Sequence, residues 1–383
     1  MGREPGKVFK KDNRMIIPFL DLAKQHQTLR SEILQEWEKI LLTAGFIGGE
    51  YVEGFEHDFA AACGVKYCVS VGSGTDALRF ILLALGVGPG DEVIVPVNTF
   101  IATSEAVSQA GATVRFVDID PFTYNIDPGK IETAITEKTK GIIAVHLYGQ
   151  PADMDTVQEI AEKYQIWVVE DSCQAHLAEY KDKKVGGFGV AAAFSFYPGK
   201  NLGACGEAGA VTTNNCQLAQ KITALRNHGQ SRKYVHDMEG YNGRCDALQA
   251  AALQIKLKYL SRWNALRRKH ARMYDNLLDS DDLVTPYIRE DVVSVYHLYV
   301  VLVSKRKRIA DYLAEHGITT GLHYPVPLHL QKAYSCYSYK NGDFPVSEEC
   351  AGRLLSLPMY PELSEDDIEF VCNKLKEAVK LYA

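Results

Sequence analysis

Residues Ala193–Ala210, A-F-S-F-Y-P-G-K-N-L-G-A-C-G-E-A-G-A, set a single lysine, Lys200, among glycines and aromatics. An ordinary surface lysine sits among polar residues, whereas this one follows the apolar run Ala191–Phe196 and a Pro198-Gly199 turn that restricts its backbone. An amine drawn partly out of water titrates below a free one and attacks carbonyls, as a Schiff base with pyridoxal phosphate (PLP) requires. Alone, the pattern also fits a tethered surface lysine, so the neighbours decide.

Upstream, Gln165–Glu170 reads as a short apolar strand that ends in Asp171, followed by Ser172, Cys173 and Gln174. Open α/β sheets present groups to ligands at the carboxyl ends of their strands. PLP acts as an electron sink while its ring nitrogen stays protonated, which an acidic partner such as Asp171 would ensure. A helix cap or a structural ion pair is the alternative for that carboxylate. Further upstream, Val71–Leu78 (V-G-S-G-T-D-A-L) is a small turn between an apolar strand and an amphipathic helix. Backbone N–H groups at such a helix start bind phosphate, although many such turns are only capped bends.

The segments E-D-S-C-Q-A-H (170–176), F-S-F-Y-P-G-K-N-L-G-A (194–204), H-L-Y-G-Q-P-A-D-M-D (146–155), D-A-L-Q-A-A (246–251) and H-Y-P-V-P-L-H (323–329) resemble, in order, the DegT/DnrJ/EryC1/StrS group of PLP-dependent sugar aminotransferases. The similarity runs from about Ile17 to about Leu381. Within the group the sequence is most similar to enzymes that aminate C3 of dTDP-linked 3-keto-6-deoxyhexoses. The resemblance implies an α/β chain of PLP-dependent transferase fold type I (aspartate aminotransferase-like), with a mostly parallel mixed sheet flanked by helices and a smaller α/β C-terminal domain.

The same resemblance assigns roles. Lys200 would form the Schiff base and shuttle the proton, with Asp171 at the ring nitrogen. Gln174 would meet the phenolic oxygen and Phe100 would lie over the ring, as a flat π-face can. Gly74, Thr75 and Ser195 would hold the phosphate, joined by Asn242 from the other subunit of a homodimer with shared sites. The family commonly has Asn-Ser-Arg-Leu-Asp at that last position, where this chain has Asn242-Gly243-Arg244-Cys245-Asp246, so the serine hydroxyl is lost. Tyr197, His323, Tyr324 and Lys233 would bind substrate, the last reaching the partner's site. Hydroxyl donors and cations suit a sugar carrying a nucleotide diphosphate. Arg226, His228 and His176 fit either substrate contacts or structural roles.

The 383 residues suffice for about two domains. The expected division is an arm over 1–15, a large PLP-binding domain over 16–255 and a smaller domain over 256–383. No run approaches the ~20 apolar residues of a membrane span, and the N-terminal stretch lacks a signal peptide's apolar core. Position six is Gly, which excludes the myristoylation pattern. The nine cysteines form no C-x-x-C pair, which suits reduced thiols of a cytoplasmic enzyme with no metal cluster. A net charge of −6 argues against nucleic acid as a partner.

Strand and helix signals alternate from Tyr67 to Asp171, which predicts parallel strands with crossover helices. Two more strands are expected at 187–195 and 209–213, with an antiparallel return between them. A long helix over 246–273 should link the domains, and a helix at Ser31–Leu42 should pack on the smaller one. The expected reaction is a ping-pong transamination in which L-glutamate aminates the cofactor and the ketone of the nucleotide sugar then receives the amine, giving a dTDP-3-amino-3,6-dideoxyhexose. The rivals are a 4-keto-sugar or keto-inositol aminotransferase, a sugar dehydratase (disfavoured by Lys200, since those relatives carry histidine there) and a PLP-bound sensor without turnover.

Overall fold

The computed structural model describes residues 16–279 and 283–382. The expected arm over 1–15 lies outside them. Seven strands build the main sheet: β1 Tyr67–Val71, β2 Glu92–Pro96, β3 Thr113–Val117, β4 Thr139–Val145, β5 Trp167–Asp171, β6 Ala191–Ser195 and β7 Gly209–Thr213. Their order is β1-β7-β6-β5-β4-β2-β3. Only β7 runs against the others, pairing antiparallel with β1 and β6, so the expected antiparallel return is present. Both faces of the sheet are covered, which is why the strands read as nearly unbroken apolar runs. In β2, Val93 and Val95 enter one core while Ile94 enters another on the opposite face.

Helices α1 Leu22–Thr43, α2 Glu50–Cys63, α3 Gly74–Ala84, α4 Ala102–Gln109, α5 Pro128–Ala134, α6 Met154–Tyr164, α7 Cys216–Arg226 and α8 Ala247–Leu277 surround this sheet. The start of α3 is set by Ser73, whose hydroxyl accepts the Asp76 N–H at 3.0 Å. Small residues let that start lie against the sheet. A side chain at Gly209, where β7 begins, would come within 2.3 Å of the Ser73 backbone.

Beyond α8, strands β8 Leu283–Val284, β9 Tyr299–Val303 and β10 Leu354–Leu357 form an antiparallel sheet with β9 in the middle. Helices α9 Arg306–Glu315, α10 Pro345–Arg353 and α11 Glu365–Tyr382 accompany it. Ala250 and Leu253 of α8 belong to a core beside the main sheet, and Ala271 and Tyr274 belong to the C-terminal core. One continuous helix therefore spans both, and position 255/256 falls inside it.

The expectation for Ser31–Leu42 needs correction. The helix begins at Leu22, and Leu29 and Ile33 pack on Ala252, Ile255 and Trp263 in the middle of α8 rather than on the C-terminal sheet. The segment ahead of it reaches that unit, where Ile17 pairs with Ile318. Helix α7 escaped the sequence reading although its apolar spacing (Leu218, Ile222, Leu225) and its Asn215 cap are both visible. No helix among the described residues is long and apolar enough to cross a membrane.

Candidate active site

The carboxyl ends of β4, β5 and β6, the start of α3 and the C-terminal unit enclose a cavity of about 770 Å³. It brings together residues that lie far apart in sequence. Gly74 and Thr75 enter from α3, Phe100 from the turn before α4, and Asp171 and Gln174 from the end of β5. Ser195, Tyr197 and Lys200 follow β6, while His323 and Tyr324 come from the C-terminal unit.

Asp171 is buried, at 6% exposure. Its Oδ2 accepts the Thr103 hydroxyl at 2.7 Å, and its Oδ1 accepts the Cys173 N–H at 3.2 Å. Thr99 extends the chain, its Oγ1 lying 2.9 Å from that of Thr103. Lys200 faces the cavity from a tight turn. Its N–H donates to the Tyr197 carbonyl at 2.8 Å, and Ala204 N–H donates to the Phe196 carbonyl at 2.8 Å. Burial lowers the pKa of the amine, with Cys173 and Asp171 pulling the other way. The neutral amine is thus easier to reach than on a solvated lysine.

Gln174 is fixed at both ends: its Oε1 accepts the Tyr148 N–H at 2.7 Å, and its Nε2 donates to Tyr324 Oη at 3.0 Å. That leaves the second amide N–H unused by these bonds. Phe100 is half exposed and tilted 38° to the Tyr324 ring, with centroids 5.8 Å apart. His323 faces Ser356 Oγ through Nδ1 at 2.8 Å and stacks on Phe19 at 5.6 Å. Burial and the Lys200 charge push His323 to about 4, so it is neutral near pH 7.

The start of α3 is a cradle that an added atom would fill. A Cβ at Gly74 would lie 2.7 Å from Ser195 Cβ and 3.0 Å from Cys173 Sγ. Open backbone N–H groups at a helix start beside a serine and a threonine suit a phosphate. Together with a buried carboxylate and a desolvated amine, the residues present fit a phosphorylated aldehyde cofactor with a basic ring nitrogen.

The remaining sequence candidates separate. His176 is fully buried, donates Nε2–H to the Ser195 carbonyl at 2.8 Å and touches Phe194 and Phe196, so it is a core residue and faces no sugar. Arg226 pairs with Glu56 and the Ser70 carbonyl, which is the structural alternative. His228 is exposed at a left-handed position (φ 58°) whose carbonyl accepts from His236. Asn242 and Lys233 are exposed and outside this chain's cavity. Sequence reasoning missed Thr103, Tyr148, Phe19, Arg267 and His297. Phe19, Arg267 and His297 line the cavity, as does Thr103, and Tyr148 donates its hydroxyl to the His323 carbonyl.

The profile of the DegT/DnrJ/EryC1/StrS aminotransferase family matches residues 27–376. The chain belongs to this family. Among its DegT-family relatives, a dTDP-3-amino-3,6-dideoxy-alpha-D-galactopyranose transaminase of Aneurinibacillus thermoaerophilus is 47% identical over 96% of this chain and 99% of its own. A UDP-2-acetamido-2-deoxy-3-oxo-D-glucuronate aminotransferase of Pseudomonas aeruginosa is 42% identical over 94% and 99%. The crystal structure of DesV from S. venezuelae in complex with a ketimine intermediate superposes with a TM-score of 0.93 at 41% identity, covering 95% of this chain and 99% of that one. This DegT-family chain is therefore a sugar aminotransferase of PLP fold type I, and PLP is its cofactor.

Proposed function

We propose that the enzyme transfers the amino group of L-glutamate to the C3 ketone of a dTDP-linked 3-keto-6-deoxyhexose, giving a dTDP-3-amino-3,6-dideoxyhexose. The reading of the sugar is carried by the 47% identity, over nearly the whole chain, to the Aneurinibacillus transaminase. Bound PLP would supply an electron sink for the carbon that loses a proton. The chain's own groups do the rest. Lys200, its amine kept neutral more readily by burial, takes the proton and returns it. Asp171, held by Thr103 and the Cys173 N–H, offers a fixed negative charge to the ring nitrogen. Gly74, Thr75 and Ser195 hold the phosphate, Phe100 covers the ring and the spare Gln174 N–H meets its phenolic oxygen. Tyr197, His323 and Tyr324 line the side from which a sugar enters.

Asn242 and Lys233 belong in this scheme to a homodimer, each facing the partner's cavity. Support comes from the surface next to the Asn242 segment. Leu41, Leu42, Phe46 and Ile47 are exposed apolar residues, and Ile47 pairs with Asp246 four positions after Asn242. Such a patch is unusual on a monomer. We also propose that 16–255 and 256–383 act as the large and small domains, and that the enzyme works in the cytoplasm, a reducing setting in keeping with nine free cysteines.

The test is to supply purified protein with PLP, L-glutamate and a panel of dTDP- and UDP-linked 3-keto and 4-keto sugars, and to locate the new amine by NMR. Amination at C3 of the dTDP-6-deoxyhexose is expected. A C4 product would overturn the regiochemistry, and preferential turnover of the UDP sugar would overturn the nucleotide.

A further inference from the structure

Lys256 of α8 has no exposed surface. Its two hydrogen bonds go to a carbonyl and an imidazole rather than to a carboxylate: Nζ donates to Gly203 O at 2.7 Å and meets His26 Nε2 at 3.0 Å. The ring's other nitrogen, Nδ1, lies 2.7 Å from the Leu22 carbonyl, which can only accept. The proton therefore sits on Nδ1, and Nε2 is the lone pair that receives the Lys256 ammonium. Burying a cation on such partners is costly unless the arrangement is tightly held.

What it holds is the turn that carries Lys200. A Cβ at Gly203 would lie 2.2 Å from the Pro198 carbonyl oxygen, so the segment from Pro198 to Gly203 closes on itself. A second tether lies close by: Asn201 Nδ2 donates to Asn264 Oδ1 at 2.9 Å and to the Val295 carbonyl at 2.9 Å. Lys256 and Asn264 are eight residues apart on α8, about 12 Å along its axis. The turn is thus pegged to one helix at two points, and through His26 the first peg also engages α1.

We propose that Lys256 is a positioning residue for Lys200: with His26 behind it, it fixes the carbonyl of Gly203 and so sets where the Lys200 amine stands. The proposal rests on Lys200 as the reacting amine. Displacing a reacting group by about 1 Å costs up to about 100-fold in rate, so the loss falls on turnover and not on sugar binding, which other residues carry.

The experiment compares holoenzyme with K256M, which keeps the length and removes the donor, and with K256Q, which retains an N–H for Gly203. Amide hydrogen exchange of the Lys200 and Ala204 N–H groups is expected to quicken about tenfold in K256M while β2 and β4 stay unchanged. The kcat should fall about 10- to 100-fold with KM for the keto-sugar within about twofold, and K256Q should recover part of it. Wild-type exchange over 197–205, or a uniform quickening across the sheet, would overturn the proposal. If K256M does not accumulate as folded protein, H26A removes only the second partner and should quicken the same amides about threefold; unchanged exchange there would equally overturn it. Exchange does not depend on which lysine reacts, so failure of the Lys200 reading shows separately, as turnover retained in K200A.

Discussion

Adding one methyl group at Gly74 tests the phosphate cradle. Gly74 opens α3, where alanine is the better helix former by up to about 1 kcal/mol, so conformational preference alone predicts a gain. Packing predicts the reverse. The new Cβ would meet Ser195 Cβ at 2.7 Å, Cys173 Sγ at 3.0 Å and Ser195 Cα at 3.2 Å, where carbon atoms ordinarily rest at about 3.5–4 Å. The helix start and the end of β6 must part by roughly 0.8 Å or more to reach that spacing, and such overpacking costs about 1–3 kcal/mol. The clash outweighs the propensity. Because the two elements that part would hold the phosphate between them, G74A should bind PLP about 10- to 100-fold more weakly, equivalent to about 1.4–2.7 kcal/mol. Titration of the cofactor's visible absorbance gives the Kd, and thermal melting of the cofactor-free chain gives the stability. G88A is the control, since a Cβ there meets nothing within 4 Å. Wild-type Kd and an unchanged or raised Tm in G74A would refute the reasoning.

Two further outcomes follow from the same geometry. In T103V the shape is kept but Asp171 Oδ2 loses its 2.7 Å donor; a hydrogen bond to a charged group is worth about 1.5–3 kcal/mol, so kcat should drop about 10- to 100-fold, and steady-state kinetics showing a change within twofold would contradict this. Acid should destabilise the cofactor-free chain, because His323 is pushed to about 4 and His176 to about 3 while both titrate near ~6.5 when unfolded. Below that value the unfolded chain takes up protons that the folded chain refuses, so stability present above about pH 6.5 falls as the pH drops toward 4. The two sites together should lose roughly 4 kcal/mol by about pH 5, and a denaturant midpoint constant between about pH 7.5 and 5 would count against it.

The parts of the site that sequence revealed are those built locally. Asp171 ends a strand, Gly74 and Thr75 open a helix after a strand, and Lys200 follows a strand through a Pro-Gly turn, so each could be placed from its own neighbours. What sequence withheld arrives from far away. Thr103 reaches Asp171 across 68 positions, Tyr148 meets the His323 carbonyl across 175, and Lys256 finds Gly203 across 53. Nothing in the surroundings of these residues announces their partners. Residues of one chemical type also divided by burial: His176, whose sequence context fitted either a substrate contact or a structural role, lies in the core, while His323 faces the cavity. The packing of α1 was misassigned for a related reason, since its apolar spacing shows that a face is buried but not which element covers it.

Among the described residues two lysines, Lys200 and Lys256, have amines whose pKa burial lowers. Of the two, Lys200 faces the cavity, while Lys256, on α8, is buried against His26 of α1 and the Gly203 carbonyl. Borohydride reduction of the holoenzyme, followed by proteolysis and mass spectrometry of the fluorescent peptide, decides between them. The cofactor should be fixed on the peptide that contains Lys200; its recovery on Lys256, or on no peptide, would contradict the account.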